Sequence, residues 1–361
     1  MKTKRVRARE LGICIGSFEP GKWNALTDVP GVRVGQVTLI SGKPKGKKIS
    51  GIFRTGVTAI LPNDDVYMKR VPAGAFMLNG AGEMTGLAQI NAWGLLETPI
   101  MLTNTLSVGA VHEGVIKYIL KQHPRVADDY DVFLPVVAEC DDSWLNDIKG
   151  LRVRPEHAIK ALRNARGGPV AEGNVGAGTG MIAYRLKGGI GTSSRVLPKK
   201  CGDYTVGVLV MTNFGYLEDL RIDGRQIGKD LKVEANSKRT YGSIISIVAT
   251  DAPLLQRQLE ELAKRSALGI ARAGSHAPNN SGEIALAFST TNVQHRKNSR
   301  SLARFNCLPG DALSEIYSAT IDATQEAILN AMCIAEDMIG AGSRELKALP
   351  LDQVKKILKL R

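Results

Sequence analysis

Tyr241-Gly242-Ser243-Ile244-Ile245-Ser246-Ile247-Val248-Ala249-Thr250-Asp251-Ala252-Pro253 is the stretch that decides how the 361-residue chain is read. From Ile244 the run is short, apolar and rich in β-branched residues, the pattern of a strand. Thr250 or Asp251 is placed to cap a following helix, with Pro253 tolerated in its first turn. Gly242 sits just before the strand, and glycine permits a backbone bend that a residue with a Cβ resists. The Gly242-Ser243 bond then has two readings. The ordinary one is the end of a loop. The other is a peptide bond held under strain beside a hydroxyl, at a cost of ~1–3 kcal/mol that the surroundings must enforce. In that case the Ser243 hydroxyl attacks the Gly242 carbonyl, an ester forms, and water releases a chain that begins at Ser243. Its free α-amine, with a pKa of ~7.7–8.0, can serve the hydroxyl as a base.

Outward from this stretch the chain alternates short strands, glycine turns and amphipathic helices. Downstream, a helix is expected over residues 253–272, and Ser281 and Glu283 open an apolar strand over 284–289. The longest helical pattern runs over 311–339 with Gly340 after it, and a basic amphipathic helix follows at 351–360. Upstream, residues 219–242 are polar and glycine-bearing, a long loop of the kind that is usually functional. Strands are expected near 181–186, 192–197 and 205–211, with Asn213 directly beyond the last. Glu139 closes an apolar run over 131–139, at a strand end where sites are often built. Earlier still, residues 32–37 and 56–61 read as a hairpin around a basic loop. Helices are expected over 83–95, 108–121 and 154–166.

Composition excludes several classes. With 43% apolar and 23% charged residues the chain is globular, and 38 glycines favour a sheet-rich fold with tight turns. No run of about eighteen apolar residues exists to span a membrane. The apolar run behind the basic N-terminus is too short for a signal peptide, so a cytoplasmic protein is expected. Five cysteines without a CxxC motif argue against a disulfide framework and against a zinc site. The net charge of +13 gathers in residues 2–9, in Lys43, Lys45, Lys47 and Lys48, and near the C-terminus. No aromatic residues interleave there to stack bases, so these charges read as solvated termini and loops rather than a nucleic-acid surface. The loop over 173–180 lacks the Gly-Lys-Ser/Thr of a phosphate cradle. The five histidines form no HExxH and no triad visible from spacing.

The cleavage segment resembles that of the DmpA-type aminopeptidases, a family of L-aminopeptidase/D-amidase-esterases and β-peptidyl aminopeptidases. Four further stretches match that family in the same order: Asn24-Ala-Leu-Thr-Asp-Val-Pro-Gly-Val-Arg-Val-Gly35, Leu78-Asn-Gly-Ala-Gly-Glu-Met-Thr-Gly86, Gly173-Asn-Val-Gly-Ala-Gly-Thr-Gly-Met181 and Ser281-Gly-Glu283. The resemblance implies an α+β fold, a four-layer αββα sandwich like that of N-terminal nucleophile hydrolases but with its own connectivity. It implies one domain cut into residues 1–242 and 243–361, assembled as a homo-oligomer of cleaved units, with no cofactor and no metal. It implies Ser243 as nucleophile, with Gly242 and Ser243 as the cleavage site. Ser281 and Glu283 would support the nucleophile, and Asn213 would donate to the developing oxyanion. Glu139 would pair with the ammonium group of a short peptide, amide or ester substrate, and residues 174–180 would shape the pocket wall. One departure stands. Some members carry a tyrosine just after the acid matched by Glu139, where this chain has Cys140-Asp141-Asp142. The added acids bear on which amine is preferred more than on the reaction. Two other functions compete: acyl transfer of the ornithine acetyltransferase type, which uses a threonine nucleophile, and a basic nucleic-acid-associated protein, which would show salt-dependent binding.

Overall fold

The computed structural model describes residues 4–233, 242–296, 302 and 304–360; Tyr241, Lys238 and Arg239 of the cleavage region lie outside the described residues. The early hairpin forms as the alternation of residues 32–37 requires: Arg33–Ser41 and Phe53–Leu61 pair antiparallel along their whole length. Ile100–Asn104 and Val136–Cys140 complete a four-stranded sheet, the last two running parallel. The second sheet has seven strands and is centred on Gly242–Thr250. That strand pairs antiparallel with Thr205–Asn213 and parallel with Ser281–Ser289. Ile190–Val196 lies beyond the first neighbour and Lys69–Gly80 beyond the second.

The two sheets pack face to face. Ile60, Leu102 and Val136 of the smaller sheet meet Met211, Ile245, Leu286 and Phe288 of the larger. The helices Val108–Gln122 and Pro155–Arg163 cover the outer face of the smaller sheet. Gln256–Arg272 and Leu313–Ile334 cover the outer face of the larger. The result is the expected four-layer αββα sandwich. All nine residues of Gly242–Thr250 are buried, because layers cover both faces of its sheet. That is why this strand reads as a continuous apolar run instead of an alternating one. Close approach of the Leu313–Ile334 helix depends on Gly191, where an added Cβ would lie 2.0 Å from the Ala327 carbonyl oxygen.

Several boundaries differ from the expectation, each for a local reason. The helix expected over 83–95 is Leu87–Trp93, because Gly86 takes φ +79° and breaks the chain direction before it. The helix expected from Pro253 starts at Gln256. Thr250 and Asp251 do not cap it, since Thr250 donates to the Thr205 carbonyl and Asp251 accepts the Thr205 N–H at 2.7 Å. The long C-terminal helix stops at Ile334, where Ala335 turns extended, and Met338–Ile339 then pairs with Glu345–Leu346.

The basic N-terminus corrects a second expectation. Lys43, Lys45, Lys47 and Lys48 are exposed, but three N-terminal arginines are built into the fold. Arg5 donates to the Met332 and Leu349 carbonyls, at 2.9 Å each. Arg7 pairs with Glu172 at 2.8 Å, and Arg9 with Glu326 at 3.0 Å. The fully buried Glu326 also receives Arg195 at 2.7 Å and Asn24 at 2.5 Å. Apart from the Arg7–Glu172 pair, these contacts tie residues before Gly242 to residues after it. Among the described residues no helix is long and apolar enough to cross a membrane.

Candidate active site

Register brings the predicted residues around the first residues of the central strand. Ser243 stands opposite Asn213 and alongside Gly282, while Gly242 lies alongside Ser281 and Ile244 alongside Glu283. Side chains alternate between faces along a strand, and paired residues share a face. Ser243 and Asn213 therefore lie on the face of Ile245 and Met211, which looks toward the smaller sheet. Ser281 and Glu283 lie on the reverse face with Ile244 and Ala285, toward the helices. A cavity of about 530 Å³ opens over Ser243, walled in part by Glu83, Thr105, Glu139, Asp141 and Ser143. No histidine lines it among the described residues.

Glu139 reaches this cavity from the Val136–Cys140 strand and is 4% exposed. Its Oε1 accepts the Glu83 N–H at 3.0 Å, and its Oε2 accepts the Thr105 hydroxyl in a short hydrogen bond. Burial pushes its pKa above the ordinary carboxylate range. The Thr105 and Glu83 hydrogen bonds oppose this, whereas the nearby Asp141 and Glu83 charges add to it. A cation entering the cavity would offset this penalty by supplying an opposite charge. Asp141 is held in a turn, accepting the Ser143 N–H at 2.7 Å and the Ser143 hydroxyl at 3.1 Å.

Asn213 is the last residue of its strand rather than the first beyond it. Its Oδ1 accepts the Ile182 N–H at 3.1 Å, and its Nδ2 donates to the Asp141 carbonyl at 3.0 Å. A backbone N–H can only donate and a carbonyl can only accept, so both contacts give the same orientation of the amide. The NH₂ group carries two hydrogens, and the contact with Asp141 uses one of them.

On the reverse face the Ser281 hydroxyl donates to Glu283 in a short hydrogen bond. Burial raises the pKa of Glu283, and the bond from Ser281 opposes the rise. Asn79, opposite Glu283 in the register, anchors the neighbouring turn through the Ala277 and Pro278 carbonyls. Two features went unread in the sequence. Cys140, fully buried on the smaller sheet, faces the Ser243 side chain across the intersheet space. Burial keeps it a thiol by raising its pKa well above the ordinary value. Residues 174–180 do not wall the cavity. They insert between the sheets instead, where the Gly176 and Ala177 N–H groups donate to Thr38 at 2.8 Å and Thr58 at 3.1 Å. Among the described residues no group of three His, Cys, Asp or Glu side chains is placed to hold a metal ion.

The model of peptidase family S58 matches residues 24–346. The beta-peptidyl aminopeptidase BapA of Sphingosinicella xenopeptidilytica is 43% identical over 371 residues, covering 98% of this chain and 91% of that one. Among solved structures, the PH0078 protein of Pyrococcus horikoshii OT3 superposes with a TM-score of 0.93 at 46% identity, covering 98% of this chain and 99% of that one. The L-aminopeptidase D-Ala-esterase/amidase of Ochrobactrum anthropi, described as a prototype serine aminopeptidase and a new variant of the Ntn hydrolase fold, superposes with a TM-score of 0.90 at 38% identity over 98% of each chain. With the fold shared from end to end and the family model spanning the cavity, both sheets and the central strand, this chain belongs to peptidase family S58.

Proposed function

We propose that the chain cuts its own backbone between Gly242 and Ser243. The piece that then begins at Ser243 works as an aminopeptidase on short peptides, amides or esters with a free amino end. One observation carries this reading: a single cavity is lined by both a serine at a strand start and a buried carboxylate that has no cationic side chain paired with it among the described residues. In the first reaction the Ser243 hydroxyl adds to the Gly242 carbonyl. The C–N bond breaks as nitrogen takes a proton, leaving an ester that water hydrolyses to a Gly242 carboxylate and a free Ser243 amine.

In the second reaction the Ser243 amine accepts the hydroxyl proton as the oxygen attacks the substrate carbonyl. The spare Nδ2 hydrogen of Asn213 donates to the oxyanion, a contribution typically worth about 3–4 kcal/mol of barrier. The amine returns its proton to the leaving group, an acyl-serine ester remains, and water releases the amino acid. Ser281 and Glu283 flank the same position from the reverse face, alongside Gly242 and Ile244, and hold the new amine. Glu139 pairs with the substrate ammonium and so selects substrates with an unblocked amino end. The relatives named for β-peptidyl aminopeptidase and for L-aminopeptidase D-Ala-esterase/amidase activity support this substrate class. A serine at position 243 weighs against the threonine-dependent acetyltransferase reading.

The test is a matched pair of chromogenic amides, one with a free amino end and one N-acetylated, assayed on cleaved enzyme. The free amine is expected to turn over and the acetylated one not, since stranding a partly buried charge typically costs about 3–5 kcal/mol. Equal rates on both would make the protein a general amidase.

A further inference from the structure

Lys187 is fully buried, and its three ammonium hydrogens all end on backbone carbonyls. Nζ donates to the Gly188 oxygen at 2.8 Å, to Met181 at 2.9 Å and to Gly178 at 3.2 Å. A protonated lysine has three donors and no lone pair, so three acceptors complete its shell. A neutral amine would turn a lone pair toward one of them. Burial pulls the pKa down to about 7, and the neighbouring Asp142 charge opposes the fall. The cage of acceptors therefore has to hold the charge in place, which makes this lysine costly to keep for packing alone.

The peptide unit between Met181 and Ile182 connects this charge to the candidate site. Its carbonyl end accepts Lys187 Nζ at 2.9 Å and also the Gly188 N–H at 3.0 Å. Its N–H end donates to Asn213 Oδ1 at 3.1 Å. The unit is planar and trans, so its C=O and N–H point in opposite directions and turn together. Ile182 and Lys187 are also directly paired in the small hairpin formed by Ile182–Ala183 and Leu186–Lys187. An unbroken chain of donors thus runs from an ammonium through one peptide group to the side-chain amide of Asn213, the residue opposite Ser243 in the strand register. Hydrogen bonds in such a chain polarise one another, most of all in a low-dielectric interior.

We propose that Lys187 is a positioning residue for the oxyanion donor: through the Met181–Ile182 peptide it fixes the plane of the Asn213 amide and strengthens its Nδ2–H as a donor. The inference rests on the role of Asn213 in the proposed function. It adds a charged group to the machinery that touches neither substrate nor nucleophile.

A double-mutant cycle with Lys187→Met and Asn213→Ala tests it, read as kcat and KM on the free-amine amide and normalised to the fraction of chain that begins at Ser243. Asn213→Ala alone is expected to lower kcat by roughly 10²–10³-fold. Lys187→Met is expected to lower kcat about tenfold or more with KM little changed, and to cause no further loss when Asn213 is already alanine. A general loosening of the fold would lower kcat in both backgrounds. Losses that multiply, or an unchanged kcat in Lys187→Met, overturn the inference while leaving the role of Asn213 standing. Full turnover in Asn213→Ala overturns both. If Lys187→Met does not fold, Lys187→Gln takes its place in the same cycle. If a variant is cut too slowly to collect cleaved enzyme, the rate at which the 243–361 piece appears is read in place of kcat.

Discussion

Replacing Glu326 with alanine tests how the two halves of the chain are held together. Glu326 lies on the Leu313–Ile334 helix with no exposed side-chain surface. Both of its oxygens accept Arg9 Nε, at 3.1 and 3.0 Å, and Oε2 also accepts Arg195 at 2.7 Å. Arg195 is equally buried. Its remaining bonds go to neutral carbonyls, including those of Ser194 at 2.7 Å and Ile15 at 2.8 Å. Without Glu326 its charge keeps hydrogen bonds but loses its counterion. Breaking a buried pair in this way costs about 3–5 kcal/mol. A chain of 361 residues unfolds with an entropy of about 2.1 cal/mol/K per residue, or ~0.76 kcal/mol/K in all, so the loss lowers Tm by ~4–7 °C. Scanning calorimetry is the assay, run at one protein concentration because the two pieces that the proposed cut would leave would separate on unfolding. Removing the exposed Lys117–Glu113 pair serves as the control and should leave Tm nearly unchanged. A Tm for Glu326→Ala within about 1 °C of the parent would refute the claim that this cluster clamps the fold.

Three other outcomes follow from the geometry. Asn213→Ala should slow turnover by roughly 10²–10³-fold with KM nearly unchanged, measured by steady-state kinetics on cleaved protein. The acid limb of kcat/KM should lie above the ordinary glutamate range, because burial raises the pKa of Glu139 and substrate ammonium binds only its ionised form. Activity is lost as pH falls through that raised pKa, and Glu139→Gln should remove the limb along with the preference for a free amine. Gly191→Ala should destabilise by about 1–3 kcal/mol in chemical denaturation, since the new methyl group meets the Ala327 carbonyl and forces the helix off the sheet.

Much of this site was legible because its residues sit at the ends of strongly patterned strands. The β-branched run after Ser243 marked the central strand, and Asn213 and Glu139 were found at or beside the ends of other apolar runs. What stayed hidden depends on distant partners. Arg5, Arg7 and Arg9 look like a solvated basic tail until their acceptors are known, and those lie up to 344 residues away. Lys187 in its local sequence is one lysine before two glycines, and nothing there announces a buried ammonium. Cys140 meets Ser243 only because two sheets stack. Helix ends were missed where a polar side chain took a tertiary partner over a capping role, as Thr250 and Asp251 did with Thr205. The helical pattern expected to continue over 335–339 gave way to a short strand pairing.

The central claim is that Ser243 cuts the chain that contains it and then works from the new end. Denaturing mass measurement of the parent and of Ser243→Ala tests this most directly. The account predicts two pieces from the parent, residues 1–242 and 243–361, and one full-length chain from the variant. A variant still split at the 242/243 bond would show that an outside protease makes the cut, and the account of Ser243 as a self-released nucleophile would be contradicted.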